Sequence, residues 1–312
     1  MKSLSAFLLL ILLSLACGGN SSSTLEMNDK PLNYKGKTEK AQLDSNSNLK
    51  FLDSFFGKLQ SPHHAYSTNL NHLESRGLRF FLHETQKMIT KLSYEAIEND
   101  SFFSPSLSGL FGGKVSYQGE WDENSGKLLL NFDEFSAEGD LAWTGNVLVQ
   151  FSGRSQQSSS FNSFSIKFDE FSFKDKQLPF FISGDMTQSY FPSSGNYDLV
   201  WNCHISQDSI ELKLENYREF GYKSSLSLLK AEFEGDLYHN QFGQVHIKTH
   251  EKVEFQGQLP SLGGPIIISG TQGSNLKITP EGFGLVHYEL DQDGDGVYEL
   301  LQSQSHYQIE IY

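Results

Sequence analysis

The sequence predicts a mainly β protein, a curved antiparallel meander or incomplete barrel preceded by a short helical segment. Three observations support this. From Lys114 to Tyr312 the apolar residues alternate with period two, turn residues interrupt the alternation at short intervals, and no stretch between strands is long enough for a crossover helix.

The elements follow in chain order. Met1-Lys2, the apolar run Leu4 to Leu13 and then Ser14-Leu15-Ala16-Cys17 form a charged start, a hydrophobic stretch and a small-residue cleavage site. The run is too short to span a bilayer, which needs about 20 apolar residues. Residues 1–16 are therefore expected to be a cleavable signal peptide, with lipid attached to Cys17 as in a bacterial lipobox. Residues 17–48 are poor in large apolar side chains and rich in Ser, Asn, Lys and Gly, so a lipid-anchored flexible tether is expected there. Across 49–100 the spacing turns helical: Leu49, Leu52, Phe55 and Phe56, then Leu70, Leu73, Leu78, Phe81, Leu82, Met88, Ile89 and Leu92. Pro62 and Gly77 divide this segment into a short helix and a longer one. Ser101-Gly113, with Pro105 and paired glycines, reads as a boundary, and the antiparallel β-domain is expected over 114–312.

Within that domain, Phe164/Ile166/Phe168, Ile210/Leu212/Leu214, Val245/Ile247/Thr249, Val286/Tyr288/Leu290 and Tyr307/Ile309/Ile311 are clear alternations. A degenerate repeat is also present. Leu130-Asn-Phe132-Asp-Glu-Phe135 matches Ile166-Lys-Phe168-Asp-Glu-Phe171, and Leu212-Lys-Leu214-Glu-Asn-Tyr217 is a weaker third copy. Each precedes an apolar strand that ends in glycine, at Gly145, Gly184 and Gly235. In each copy the apolar parity slips by one residue. A slip of one flips a strand to its other face, so bulges are expected at Asp133-Glu134, Asp169-Glu170 and Glu215-Asn216.

Removal of residues 1–16 takes away one lysine, leaving 23 basic against 38 acidic residues and a net charge near −15. Such a chain repels phosphate backbones, which argues against a nucleic-acid partner. Besides Cys17 there is only Cys203, so no internal disulfide is expected in the folded part.

Residues 210–312 carry a resemblance. EFEGDLYHNQFGQVHIKTHEKVEF, PIIISGTQGSNLKI and VHYELDQDGDGVYELLQSQSHYQIEIY are similar to the C-terminal part of a family of uncharacterised bacterial lipoproteins. Members share a lipobox, a helical N-terminal segment, strand repeats and an Asp-rich hairpin before a terminal strand. The resemblance implies export, architecture and the Asp-rich loop, and it brings no catalytic residues.

That loop, Asp291-Gln-Asp293-Gly-Asp295-Gly296-Val297-Tyr298-Glu299, is the sharpest chemical signal. Carboxylates at every second residue around a glycine turn can converge on a hard cation such as Ca²⁺, which takes six to eight oxygens. The expected ligands are Asp291, Asp293, Asp295, the Val297 carbonyl and Glu299, in a structural role. Position twelve is Gln302 and strands flank the loop, so it is not an EF-hand. A solvated acidic hairpin turn would show much the same pattern.

Other constellations carry less. His246, Lys248 and His250 share a strand face with no carboxylate evident nearby, and Lys248 would repel a metal. His63-His64 beside Pro62 reads as a turn. His83-Glu84 fails as a metalloprotease motif because Lys87 stands where the second His is required. Cys203 and His204, adjacent on a strand, point to opposite faces. No catalytic motif is present, so no enzymatic activity is expected. The sequence leaves two readings open: an anchored envelope module with structural calcium, or a carrier of a lipid or other apolar ligand. A groove lined by Phe164, Phe168, Phe180, Leu226 and Phe255 would mark the carrier, and a filled core would mark the module. By resemblance to bacterial lipoproteins, in which an Asp after the lipidated cysteine commonly retains the protein at the inner membrane, Gly18 after Cys17 implies the outer membrane of a two-membrane bacterium.

Overall fold

The computed structural model describes residues 32–44, 78–98, 106–136, 141–155, 160–175, 178–191, 193–223, 228–256, 259–282 and 285–305. The expected signal, Cys17, the rest of the tether, residues 49–77, His63-His64, Leu226 and the strand Tyr307/Ile309/Ile311 lie outside them.

Helix α1 spans Leu78–Glu98. Leu82, Ile89, Leu92 and Ala96 form one buried stripe, spaced as a helix spaces a single face. Two hydroxyls bond back along the helix, Thr90 Oγ1 to the Gln86 carbonyl at 2.8 Å and Ser93 Oγ to the Ile89 carbonyl at 2.7 Å.

Among the described residues sixteen strands make one antiparallel sheet. They are β1 (Ser106–Ser108), β2 (Gly112–Trp121), β3 (Ser125–Ser136), β4 (Leu141–Ser155), β5 (Ser160–Asp175), β6 (Leu178–Phe191), β7 (Asn196–Gln207) and β8 (Ile210–Lys223). There follow β9 (Leu228–His239), β10 (Gly243–Thr249), β11 (Val253–Gln256), β12 (Leu259–Gly263), β13 (Ile266–Ser269), β14 (Asn275–Gly282), β15 (Leu285–Asp291) and β16 (Glu299–Ser305). β10 and β11 lie end to end along β9, and β13 and β12 lie end to end along β14. Each such pair is one long strand interrupted, at 250–252 and at 264–265, so the connectivity is a simple up-and-down meander throughout. Among the described residues β1 pairs only with β2 and β16 only with β15, which leaves the sheet open. Among the described residues the sheet thus begins at Ser106, eight residues before the expected Lys114. The paired glycines that suggest a boundary instead lie in a hairpin.

All three expected bulges are present. Register shifts fall between Phe132 and Phe135, between Phe168 and Phe171, and between Glu215 and Arg218. Glu134, Glu170 and Asn216 sit there at φ of 48°, 51° and 51°, a left-handed conformation uncommon outside glycine. The apolar face changes parity across each bulge: Leu130 and Phe132 point inward, then Phe135, while on β8 Leu212 and Leu214 give way to Tyr217. The repeat glycines make room for the bend. A Cβ on Gly145 would stand 2.3 Å from the Glu170 carbonyl oxygen, and one on Gly235 would stand 2.4 Å from the Tyr217 Cα.

One hydrophobic core runs from Ala41 and Leu43 through α1 to Leu290. Its densest part is aromatic, with Phe173 stacked on Phe180 at 4.6 Å between centroids and Trp143 tilted against Phe173 at 4.7 Å. Residues 32–44, within the stretch expected as a tether, are docked. Tyr34 packs between His204 and Tyr238 on the outer face. Lys37 N–H donates to the Asn240 carbonyl at 3.3 Å, Ala41 N–H to that of Gln244 at 2.7 Å, and Thr271 N–H to that of Ala41 at 2.8 Å. The segment thus rounds the rim of the sheet and buries Ala41 and Leu43. Composition hides this because backbone bonds and a few apolar residues suffice.

Gly184 has φ +109°, and a Cβ there would lie 2.2 Å from the Asn202 carbonyl oxygen. Gly184→Val is expected to destabilise the fold by about 3 kcal/mol or more in urea unfolding. Gly195→Ala, in an open turn, is expected to cost about 1 kcal/mol. Equal costs for the two would show that the crease does not need its glycine.

Candidate functional site

The Asp-rich loop joins β15 to β16. Asp291 is the last residue of β15, pairs with Asn275 of β14 and is buried. Its two oxygens accept backbone N–H groups, Oδ1 from Gly294 at 2.7 Å and Oδ2 from Gly296 at 3.0 Å. Asp293 accepts from Asp295 N–H at 3.3 Å, and Asp295 from Val297 N–H at 2.7 Å. Gly294 and Gly296 adopt φ of 79° and 85°, as the tight loop requires. A side chain at Gly294 would meet the Gln272 carbonyl at 2.5 Å, so the loop rests on the neighbouring turn.

One oxygen each from Asp291, Asp293 and Asp295 lies within 4.8 Å of the others, a group that could hold a metal ion. Carboxylate oxygens that accept an amide keep a second lone pair for a cation. Of the expected ligands, the side chains of Asp291, Asp293 and Asp295 therefore come together. Glu299 opens β16 opposite Leu290 and is not in the cluster; Val297 is 60 % exposed, its amide serving Asp295. Beyond the loop, Lys277 lies 5.5 Å from the centre of the Tyr298 ring and 2.8 Å from Glu289. Burial, then the Asp291 charge, pushes the Tyr298 phenol up.

The sheet register alters the reading of the His246 face. Cross-strand Asp236 and Glu234 face it: His246 Nδ1 is 2.9 Å from Asp236, and Lys248 Nζ is 3.1 Å from Glu234. The carboxylates that alternation along β10 could not reveal make this an ion-paired outer face. Cys203 is fully buried, and burial pushes its thiol up, away from nucleophilic use. His204, on the outer face, lies 3.5 Å from Glu211. Nearby, a hollow of about 440 Å³ is bordered by Leu32, Lys167, Asp185, Asn202 and His204.

A second acidic feature lies inside the core. Glu219 on β8 is fully buried. Its Oε1 accepts the Tyr197 hydroxyl at 2.7 Å, and its Oε2 accepts that of Tyr217 at 3.3 Å and lies 3.3 Å from His83 Nε2 of α1. A buried carboxylate needs such donors, since leaving it unsatisfied costs several kcal/mol. With Gln86 Nε2 donating to Gln188 Oε1 at 2.7 Å and Arg154 paired to Glu98, it ties the helix to the sheet at three places. Reading parity onward from the bulge at Asn216 would have found Glu219 on an inward position.

No protein family, curated protein or solved structure matches the chain. No helix among the described residues is long and apolar enough to cross a membrane.

His83→Ala is expected to cost about 1–3 kcal/mol and Tyr197→Phe about 1 kcal/mol, because each strips a donor from the buried carboxylate. Unchanged urea midpoints would remove Glu219 as the tie between helix and sheet. Burial holds His204 below its ordinary value of 6.5, against the pull of Glu211. As the pH falls, the unfolded chain binds that proton first, so stability is retained above about pH 6.5 and lost below it. His204→Gln is expected to flatten this acid limb; an unaltered limb would assign it to other groups.

Proposed function

We propose that this protein is a lipid-anchored bacterial envelope lipoprotein, in the outer rather than the inner membrane. Its β-domain serves as a structural or interaction module, with the C-terminal hairpin locked by Ca²⁺. The observation that carries the reading is the order of charged start, apolar run and Ser14-Leu15-Ala16-Cys17, with a thiol placed for acylation. The resemblance to bacterial lipoproteins supports it, and the module is read as non-enzymatic.

The filled core favours the module over the carrier of an apolar ligand. Phe164, Phe180 and Phe255 are each at most 2 % exposed and offer no open groove, while Phe168, at 4 %, borders the hollow beside His204, whose rim carries Lys167, Asp185 and Asn202. The clustered Asp291, Asp293 and Asp295 support the ion, since three neighbouring carboxylates repel one another until a cation joins them. A cation there would join the end of β15 to the start of β16. That role is structural.

Two outcomes are expected. Cells expressing the chain should incorporate labelled palmitate, and Cys17→Ser should abolish it; labelling that survives the substitution would remove the anchor. Saturating Ca²⁺ should raise the thermal midpoint over chelator by about 5–10 °C, corresponding to about 2.7 kcal/mol at a hundredfold excess over Kd. Asp293→Ala should erase the difference, and identical midpoints with and without Ca²⁺ would dismiss the ion.

A further inference from the structure

The turn between β1 and β2 carries the two most exposed large apolar side chains among the described residues, Leu110 at 88 % and Phe111 at 65 %. Turn positions ordinarily go to Gly, Asn, Asp, Ser or Pro, which satisfy their backbone locally and face water without loss. Here the glycines stand around the apolar pair instead, at Gly109, Gly112 and Gly113.

The turn is held firmly. Gly109 N–H donates to the Gly113 carbonyl at 3.1 Å, Gly112 N–H to that of Gly109 at 3.3 Å, and Phe111 N–H to that of Ser136 on β3 at 3.1 Å. Gly113 has φ +64°, and a Cβ there would lie 2.2 Å from the Glu134 carbonyl oxygen. The backbone bonds therefore present both side chains outward from a fixed base.

We propose that Leu110 and Phe111 form an apolar wedge that enters the acyl region of a lipid bilayer. The proposal rests on the anchored reading only for bringing a bilayer within reach. Three features favour lipid over a protein partner. The tip is convex and offers two side chains, far below the roughly 1,000 Å² that a specific protein interface buries. A bilayer needs no complementary pocket. The tip also projects from the same end of the meander as the turn at Asn240, where residues 32–44 round the rim. From Cys17 to Leu32 the intervening fourteen residues reach at most roughly 50 Å, which keeps that end near the anchor. The net negative charge implies binding through apolar contact, insensitive to added salt and weakened by anionic lipid.

The test uses the chain from residue 17 with Cys17→Ser, in chelator, floated with phosphatidylcholine vesicles and with vesicles containing phosphatidylglycerol. The protein should float with phosphatidylcholine and less with the anionic vesicles. Leu110→Ser with Phe111→Ser should lower the bound fraction by about tenfold or more. As a second measure, Phe111→Cys bearing a polarity-sensitive dye should be quenched by brominated acyl chains. Absence of flotation by the parent, equal flotation by the double variant, an unquenched dye, or self-association without lipid that the double variant abolishes would each overturn the proposal. Palmitate labelling of Cys17 is read separately. Its loss with flotation intact removes the anchor and keeps the wedge, and the converse removes the wedge alone.

Discussion

The fold depends on a one-residue slip repeated at three places in a long meander. A strand of twelve to sixteen residues that simply alternated would extend as a straight ribbon with one apolar face. At Glu134, Glu170 and Asn216 the backbone turns left-handed, absorbs one extra residue and bends, while the apolar face resumes in the opposite parity. Both halves of each strand therefore still face the same core. The neighbouring strands keep their parity and accommodate the bend with glycine at Gly145, Gly184 and Gly235, where a side chain would strike backbone. Bulge and glycine are two sides of one crease across the sheet, which is why they recur together.

The two acidic features obey opposite physical rules. Glu219 is fully buried, and its oxygens are met by phenols and an imidazole from β7, β8 and α1. Those groups are donors, so the carboxylate serves to fix the helix over the sheet. Asp291 is also buried, yet its donors are backbone amides of its own loop, which leave Asp293 and Asp295 exposed beside it. That arrangement holds carboxylates close together at the surface, where a divalent cation would relieve their repulsion. One site closes the interior, and the other opens outward at the end of a hairpin.

One end of the meander gathers three surface features. The Asp loop, the rim rounded by residues 32–44 and the Leu110-Phe111 turn all project there, while the aromatic core lies sealed between the bent halves of the strands. A meander places alternate turns at one end without further instruction.

The sequence by itself determined the strands, the meander and the three bulges, since these follow from local alternation and from where its parity fails. It also marked Asp291, Asp293 and Asp295, because their spacing around two glycines is a local property. Tertiary structure decided what depends on neighbours across strands. Asp236 and Glu234 face His246 and Lys248 only once the register of β9 and β10 is set. Residues 32–44 dock through backbone bonds to Asn240 and Gln244, which composition does not encode. Glu299 stands apart from the Asp cluster because β16 begins its pairing at that residue. Periodicity reports which face a residue takes; what it meets there is set by register, and register belongs to the whole sheet.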